Sequence, residues 1–458
     1  EATLTYVWIE TQYLIPLPVC HSRLQTQIQP MGTEMPVRRA NLHHQIQPSE
    51  EAAGVTRRRC SDTSPVAVAP ESPPFNDDML REILIRLPPR PSSLPRASAV
   101  CRRWLEIVAD PKFHRQFRAH HRKPPLLGAF MYSDSDQSIE FTPFLDSPDR
   151  IAPERFSLGR CSDGEEYSLL DCRHGLVLIK DFRRNQIVVC DPIIGEQRWV
   201  SVPPEFESGY VNSPCVNGAV VCAAGGLGHV HGGCRLSSCK VVLVSTGRSD
   251  SQHLACVYSL ETGLWDNLIS TEAPSEFFYG DSSPTLVGNV LYWLLGSDHI
   301  LEFDLDRQSL AMTEGPLVTN DGDRQIILAE DGALGFGILD QTRFQMWHRN
   351  ISCQGVATWL SWKTIEMHNM PGLSLQIGGD KRRWLLGYDE DNDVIFVYVS
   401  SNVYAVQLKS MESKKLYKTS CVNEIHPFKS FYTPGTVING GFNGAEMLHD
   451  TEDACLLP

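Results

Sequence analysis

The C-terminal part of the sequence repeats one short pattern, in which two apolar segments are separated by a polar turn. Four copies cover the same step of 16 residues, and they start at Gly175, Gly288, Gly332 and Arg383. Apolar segments of this length on either side of a polar turn are typical of a β-hairpin. A succession of such hairpins predicts an all-β domain.

A fifth copy of the hairpin pattern starts at Gly218 and is interrupted by an insertion at residues 224–253. Because only this copy departs from the common step, we expect the insertion to be a mobile excursion from the surface. Successive copies start 43, 70, 44 and 51 residues apart, and removing the insertion brings the 70 to about 45. A period in the mid-forties is typical of the four-stranded blades of a β-propeller.

The number of blades follows from the five hairpins and from further apolar segments in residues 126–158. Together they predict six blades, although five or seven also fit the spacing. Large aromatic rings on the expected outer strands are suited to packing between blades, and these are Trp199, Trp265, Trp359 and Trp362. The alternative fold is a β-sandwich whose hairpins share their spacing by coincidence.

Residues 75–117 have a different pattern, which is typical of short helices. An apolar stripe at helical spacing marks the first helix and consists of Leu80, Ile83, Leu84 and Leu87. Asn76 is suited to cap this helix, and Pro88 with Pro89 ends it, because proline lacks the amide hydrogen that a continuing helix needs. Leu94 lies in a second short helix, and a third helix is predicted from about residue 102 to residue 109.

Three helices of this length are too short to enclose a hydrophobic core of their own. We therefore expect them to complete their burial against something else. Pro124 and Pro125 mark the boundary with the all-β part, and we expect the propeller to be unaffected by changes in the helices. The expected domains are a disordered N-terminal segment (1–72), the helical unit (73–123), the propeller (124–440) and a tail (441–458). Met31 and Met35 are expected translation starts.

The helical unit resembles the F-box. In that family Leu-Pro-Pro follows the first helix, a leucine opens the second, and Val-Cys-x-x-Trp joins the second to the third, as at positions 87–89, 94 and 100–104 here. One departure is Phe75-Asn76, where the family often has Leu-Pro. The resemblance implies a three-helix F-box that docks on the Skp-type adaptor of a cullin–RING ubiquitin ligase. The implied adaptor-binding residues are Leu80, Ile83, Leu84, Leu87, Pro88, Pro89, Leu94, Val100, Cys101 and Trp104.

The all-β part resembles the F-box-associated and kelch-like propellers that follow the F-box in many plant proteins. The kelch double glycine and the Trp-Asp of WD repeats are not regularly present. The two resemblances imply a multidomain protein, a small all-α F-box followed by an all-β propeller. They imply a non-enzymatic substrate-recognition subunit of an SCF-type (Skp–cullin–F-box) ubiquitin ligase, whose propeller binds an unidentified target protein. The alternatives are a propeller enzyme, such as an oxidase or hydrolase, and an F-box scaffold without ubiquitin transfer.

The charges of the chain are unevenly distributed between its parts. Residues 73–125 carry 11 basic and 5 acidic side chains, whereas residues 126–458 carry 24 basic and 43 acidic side chains. The acidic excess argues against nucleic acid as the main partner, and the basic helical unit is better suited to an acidic protein. No apolar run approaches the length that spans a bilayer, and the 14 cysteines form no dense disulfide framework. We expect a protein of the cytoplasm or nucleus that does not bind membranes.

One group of residues has the types that bind metal ions, and it lies in and beside the insertion. It consists of Cys215, Cys222, His229, His231, Cys234 and Cys239. Zinc ligands usually occur in pairs that are two to four residues apart, whereas the gaps between these cysteines are 6, 11 and 4 residues. Cys215 and Cys222 also fall on or beside a predicted strand, where side chains alternate between faces. We therefore expect neither a metal site nor an organic cofactor.

Overall fold

The structure, a computed structural model, describes residues 76–432 with short gaps. Within this range the description leaves out residues 134–137, 157, 159–166, 207–214, 225–228, 247–251, 275–277, 279–282, 297–298, 318–321, 341–342, 355–356, 368–369, 371–382 and 420–423. The expected disordered segment and the expected tail also lie outside the described residues. No helix of the described part is both long and apolar enough to span a bilayer.

Four helices precede the first strand. They are α1 (Asp77–Ile85), α2 (Ser93–Ser98), α3 (Arg102–Ala109) and α4 (Pro111–His121). The first three are the predicted helices, and the Asn76 side chain caps α1 by accepting a hydrogen bond from the Asp78 amide. The prediction of three helices missed α4. Asp110 caps this fourth helix by accepting from the Lys112 amide, and Pro111 occupies the first turn, where an N–H is not needed.

The strands form six antiparallel sheets, which confirms the predicted propeller with six blades. The first blade contains β1 (Leu126–Ser133), β2 (Ser138–Pro143) and the last strand of the described chain, β24 (His426–Lys429). The second blade contains β3 (Tyr167–Arg173), β4 (Leu176–Asp181), β5 (Gln186–Asp191) and β6 (Glu196–Ser201). The third contains β7 (Cys215–Cys222), β8 (Cys239–Thr246), β9 (Gln252–Ser259), β10 (Leu264–Trp265) and β11 (Ile269–Glu272).

The remaining three blades follow the chain in order. The fourth blade contains β12 (Thr285–Val287), β13 (Val290–Leu294), β14 (His299–Asp304) and β15 (Ser309–Glu314). The fifth contains β16 (Asp323–Leu328), β17 (Leu334–Leu339), β18 (Arg343–Ile351) and β19 (Ala357–Glu366). The sixth contains β20 (Arg383–Asp389), β21 (Val394–Val399), β22 (Asn402–Gln407) and β23 (Ser413–Lys418).

The first blade closes the ring of blades. In its sheet β24 pairs antiparallel with β1, and Phe130 lies opposite His426. The first and the last strand of the propeller therefore share one sheet. The hydrogen bonds between β1 and β24 close the ring of blades.

Two of the four predicted tryptophans connect the outer strands of neighbouring blades. Trp265 in β10 donates a hydrogen bond to the Ser201 carbonyl at the end of β6, over 3.1 Å. Trp359 in β19 donates in the same way to the Glu314 carbonyl of β15, over 2.9 Å. Trp199 is different, because it remains partly exposed beside the Arg184 guanidinium.

Strand β8 corrects the prediction for the insertion. It lies within residues 224–253, pairs with both β7 and β9, and buries Val241 and Leu243 completely. The expectation of a mobile excursion is therefore wrong for this strand. The extra residues of the third blade lie instead between β7 and β8, at residues 223–238, where the second blade has a turn of only two residues.

The repeated pattern at Arg383 is also displaced by one strand. It covers β20 and β21, the first and second strands of the sixth blade, whereas Gly175, Gly288 and Gly332 each precede the second strand of their blades. The repeat period in the sequence is still close to the length of a blade despite this displacement. The reason is that every blade is a meander of antiparallel strands and neighbouring hairpins have similar lengths.

The helices and the propeller share one hydrophobic cluster. Leu84 of α1 and Phe113 and Phe117 of α4 are buried in it, and so is Phe431, which follows β24. The ring centroids of Phe117 and Phe431 lie 6.4 Å apart. The helices thus complete their burial against the propeller, which agrees with the small size of the unit. The expectation that the propeller is unaffected by changes in the helices stays a prediction, and the shared cluster argues against it.

Polar contacts join the helical unit to the same region of the propeller. Ser92 Oγ donates to Asp149 Oδ1 over 2.6 Å, and Lys123 Nζ donates to the Asp391 carbonyl over 2.7 Å. Arg118 reaches the Gly233 carbonyl in the β7–β8 connection. Asp391 and Gly233 both lie between the first and second strands of their blades, and antiparallel strands place such turns at one face of a propeller. The described contacts of the helices therefore lie at this face, which we call the helix-covered face.

Candidate adaptor interface

The ten residues expected to bind the adaptor fall into three groups by exposure. Leu80, Leu84 and Leu94 are buried among the helices, together with Ile107 and Val108. Their side chains hold the helices at fixed angles to one another. They can affect an adaptor interface through the shape of the unit, because they offer almost no surface to a partner.

The second group is exposed to solvent. Ile83 in α1 is 49% exposed, Val100 between α2 and α3 is 62% exposed, and Pro88 and Cys101 are exposed as well. Ile83 lies at the exposed margin of the apolar stripe of α1, about 100° around the helix from the buried Leu84. These four residues can contact a partner directly.

The third group lies at the edge of the core and is half-buried. Leu87, Pro89 and Trp104 are partly accessible, and Leu87 and Trp104 pack against the buried cluster. Large apolar side chains in such a position can join an interface core when a partner covers them.

Two exposed apolar residues were missed by the sequence analysis. Met79 is 56% exposed and precedes Ile83 by one helical turn, and Leu105 is 48% exposed and follows Cys101 by one turn. The spacing of four residues was visible in the sequence, but these residues are not part of the motif that carries the family resemblance. Four of the twelve exposed large hydrophobic side chains among the described residues lie in this short stretch: Met79, Ile83, Val100 and Leu105.

Ion pairs connect α1 to α3 and to α4. Arg103 of α3 donates to Asp77 of α1 over 2.7 Å, and Arg81 of α1 donates to Asp110 at the start of α4 over 2.9 Å. The Lys112 amide and the Arg81 guanidinium together lower the pKa of the Asp110 carboxyl. The carboxylate form of Asp110 is thus favoured, and its pair with Arg81 connects α1 to the start of α4.

Buried charges occupy the inner part of the propeller, where an enzyme of this fold would place reactive groups. Arg173 of β3 pairs with Asp171 and with Glu390 of the sixth blade, and it donates to the Pro284 carbonyl before β12 over 2.7 Å. Burial raises the pKa of Glu390, and Arg173 opposes this shift. The arrangement pairs each of these charges with another protein group and joins three blades.

The structure brings together four of the six cysteine and histidine residues that the sequence analysis considered as metal ligands. Potential ligand atoms of Cys222, His229, His231 and Cys234 all lie within 4.8 Å of one another. The expectation that no ligand set stands out is therefore wrong. In the sequence, the gaps between these residues are no sign of a site, because the β7–β8 connection brings His229, His231 and Cys234 to the end of β7. Cys215 lies at the opposite end of β7 and takes no part.

The environment of this cysteine–histidine cluster shifts the pKa of several groups. Hydrogen bonds from the Cys234 and Cys239 thiols lower the pKa of Cys222, while the bond with Cys222 and burial raise the pKa of Cys234. The ring of His174 lies 3.9 Å from that of His231, centroid to centroid, and burial and this neighbour lower its pKa. The thiolate form of Cys222 and the neutral form of the His174 imidazole are thus favoured.

Comparison with known proteins matches two family models to the chain. The F-box domain matches residues 75–116, which contain α1 to α3. The family described as "F-box protein AT5G49610-like, beta-propeller" matches residues 168–435, more than half of the 458 residues. The order of the two matches is the order of the helical unit and the propeller in the structure.

Curated relatives come from Arabidopsis thaliana. The F-box/kelch-repeat protein At3g61590 is 26% identical over 229 residues, which cover 49% of this chain and 53% of that protein. Two further Arabidopsis proteins are 28% and 27% identical over 144 and 168 residues, and 35% and 40% of their lengths are covered. The chain thus spans about a third to a half of the length of the curated relatives that it matches.

Solved structures resemble the chain only distantly. Kluyveromyces lactis Hsv2 has 11% identity and a TM-score of 0.30, over 52% of this chain and 71% of that one. A functionally unknown protein from Desulfotomaculum acetoxidans has 11% identity and a TM-score of 0.35, over 66% and 99%. The family matches rest on sequence, and the six-bladed structure with its F-box agrees with them. The chain belongs to the AT5G49610-like family of F-box proteins, with an F-box domain followed by a β-propeller.

Proposed function

We propose that this protein is the substrate-recognition subunit of an SCF-type ubiquitin ligase in the cytoplasm or nucleus. The F-box would dock on a Skp-type adaptor, and the propeller would hold the target protein. The observation that carries this proposal is the exposure of Met79, Ile83, Val100 and Leu105 on a helical unit that is already buried on its other side against Phe431.

Exposed apolar residues of this size are suited to a protein partner. Covering one such side chain contributes about 1.5 to 3 kcal/mol if it becomes fully buried, and the most effective interface residues usually cluster at the centre of the contact. The buried cluster that Leu84 of α1 shares with Ile107 and Val108 of α3 keeps these helices together, so that the exposed residues are held in place before binding. A preorganised surface loses less conformational entropy when it associates.

The charge of the helical unit favours an acidic adaptor. Residues 73–125 have an excess of basic side chains, and Arg102 is 90% exposed, with Glu106 as its ion-pair partner on the same helix. An exposed pair of this kind contributes little to stability. The excess positive charge would instead accelerate the encounter with an acidic partner and make it sensitive to salt.

The target protein would bind at the face of the propeller opposite the helix-covered face. That opposite face carries the turns between the second and third strands of the blades, whereas Lys123 and Arg118 contact turns of the helix-covered face. Loops on a rigid scaffold commonly carry binding sites. In the second blade this turn follows β4 and exposes Phe182, which is 44% accessible. A target at this position would project away from the adaptor.

The adaptor contact is tested by charging the exposed apolar surface without touching the core. The variant combines Ile83→Asp with Val100→Asp, and the matched control is Leu317→Asp, because Leu317 is 94% exposed after β15. We expect the double variant to lose about thirtyfold or more in adaptor affinity, as for the loss of at least one interface hot spot of about 2 kcal/mol. Titration calorimetry with a purified Skp-type adaptor measures this, and thermal unfolding checks that all three proteins are folded.

The outcome separates the proposed interface from other readings. Parent-like affinity in the double variant, with the folded state intact, would show that the adaptor does not use these residues. An equal loss in the Leu317 control would indicate a general effect of added negative charge. If the Leu317 control binds the adaptor and the double variant does not, the result supports the F-box as the adaptor-binding unit.

A further inference from the structure

The β7–β8 connection is the feature of the propeller that sets the third blade apart. It spans residues 223–238, whereas β3 and β4 are joined by His174 and Gly175 alone. The described part of this connection is not an open loop. The Ala223 amide donates to the Ser238 carbonyl over 2.9 Å and closes its base, and Cys234 and Leu236 are buried in the cluster between the second and third blades.

The potential ligand atoms of these four residues all lie within 4.8 Å of one another, and three sulfur–nitrogen separations can be compared with those of a tetrahedral metal site. Cys222 Sγ lies 3.3 Å from His229 Nε2, and Cys234 Sγ lies 3.5 Å from His229 Nε2 and from His231 Nδ1. A zinc ion with Zn–S and Zn–N bonds of about 2.3 and 2.05 Å separates its sulfur and nitrogen ligands by about 3.6 Å. The three distances agree with this value without any movement of the backbone.

The types of the ligands specify the metal. Two thiolates and two imidazoles in a tetrahedral set are typical of structural zinc sites, whereas calcium and magnesium prefer oxygen ligands. Cys234 is buried, Cys222 is half-buried, and both histidines are exposed. An ion could therefore enter from the histidine side and would be held against the buried thiolate.

Two further side chains lie around this set and would orient it. Cys239 faces Cys222 across the ladder between β7 and β8, and its thiol donates to the Arg235 carbonyl over 3.4 Å. The His174 ring packs on the His231 ring. This packing restricts the orientation of the His231 imidazole.

We propose that Cys222, His229, His231 and Cys234 bind one zinc ion that has a structural role. The ion would fix residues 229–238 of the connection to Cys222 at the end of β7. Ordering such a segment costs conformational entropy, and four metal bonds within it offset that cost.

The connection that carries the proposed zinc ligands also contacts the junction between the helices and the propeller. The Gly232 carbonyl accepts hydrogen bonds from the Phe431 amide over 3.0 Å and from Ser430 Oγ over 3.2 Å. Val230 packs against the hydrophobic cluster of the helices, and Arg118 of α4 reaches Gly233. The zinc site would therefore stabilise the junction between the F-box and the propeller, independently of whether the adaptor is the partner proposed above.

Gly232 shows how closely the segment approaches the junction. Its φ is 91°, and a Cβ at this position would lie 2.5 Å from the Pro124 Cβ. A side chain at this position would be strained in backbone conformation and would clash with the residue that leads into β1. The metal-binding residues therefore flank a backbone whose conformation is already restricted.

The test measures metal content in the full chain, purified without a polyhistidine tag and without chelator. We expect one zinc per chain by elemental analysis, retained through dialysis. The variants Cys222→Ser and Cys234→Ser should lose it, and Cys215→Ser, a cysteine of the same strand outside the cluster, should keep it. Zinc removal by a strong chelator should lower the unfolding temperature and increase amide exchange in residues 229–238 and in α4, and added zinc should restore both.

A second measurement keeps the test decisive if a variant fails to fold. Cobalt(II) added to the metal-stripped parent protein should give the visible absorption of tetrahedral cobalt and a thiolate charge-transfer band. Parent protein without stoichiometric zinc and without the cobalt spectrum would overturn the proposal. So would zinc that remains bound in both cysteine variants. An intact mass lower by two hydrogens, with Cys222 and Cys234 resistant to alkylation, would instead show a disulfide and also overturn it.

Discussion

Asp171 is a residue on which contacts between blades depend. Its carboxylate is almost completely buried, and Oδ2 accepts from the Val220 amide of the third blade over 2.9 Å and from Arg173 Nε over 3.3 Å. Arg173 is buried as well and contacts Glu390 of the sixth blade. A neutral group at position 171 would leave the arginine with less negative charge around it, in a region from which water is excluded.

The role of Asp171 can be tested by removing its charge. Asp171→Asn keeps the shape of the side chain but removes its charge, and we expect a loss of about 3 kcal/mol in the free energy of unfolding, because the buried Arg173 loses one of its two carboxylate partners. Denaturant unfolding measures the change. The control is Asp306→Asn, an exposed aspartate in the turn after β14. A change below about 1 kcal/mol in Asp171→Asn would show that the network is replaceable by water or by rearranged partners.

At the scale of single elements, the sequence predicted the helices and strands that have a periodic apolar pattern. It missed the features that depend on contacts between residues far apart in the sequence. The helices α1 to α3 follow from apolar spacing and capping residues. Helix α4 was not predicted, and its Phe113 and Phe117 are buried against other elements. The cysteine–histidine cluster was dismissed for a related reason, since its ligands meet only after β7 and β8 have paired.

Helix α4 also gives a prediction about pH. His114 lies buried on α4, and burial together with the nearby Arg118 lowers its pKa below the usual 6.5, while Asp110 opposes this shift. A histidine whose pKa is lower in the folded state contributes stability that is present above pH 6.5 and is lost as the pH falls below it. We expect the unfolding temperature to fall between about pH 7.5 and about pH 5.5, and to fall less in His114→Leu.

Thermal unfolding at several pH values provides the measurement. His120→Gln, on the exposed side of α4, is the matched control and should keep the dependence of the parent protein. If His114→Leu and the parent protein lose stability in parallel as the pH falls, then other groups cause the effect and His114 has no part in it.

At the scale of the whole molecule, the F-box and the propeller form one structure at the helix-covered face. The sequence indicated both parts and the number of blades, because each has its own pattern. It could not indicate their junction, which joins α4 to Phe431 and to Val230 across more than a hundred residues. The proline pair at positions 124 and 125 suggested a boundary, but proline ends a helix without preventing contact between the elements on either side.

The junction predicts cooperative unfolding of the two parts. Phe431→Ala should lower the free energy of unfolding by about 3 to 5 kcal/mol, as is typical of a buried phenylalanine. Hydrogen exchange should increase in α4 and in β1 and β24 together. Phe182→Ala, an exposed phenylalanine at the opposite face, is the control and should have little effect on either. Faster exchange confined to the helices would show that the propeller is stable without them.

The central claim is that the chain presents a target protein to a ubiquitin ligase. The most direct measurement is ubiquitin transfer in a reconstituted Skp–cullin–F-box complex to a protein captured by this chain under proteasome inhibition. We predict that the parent chain and Leu317→Asp support transfer, and that Ile83→Asp with Val100→Asp captures the same protein but does not support transfer. Capture without any ubiquitin transfer by the parent chain, in a complex active on another substrate, would contradict the account and would favour an F-box scaffold.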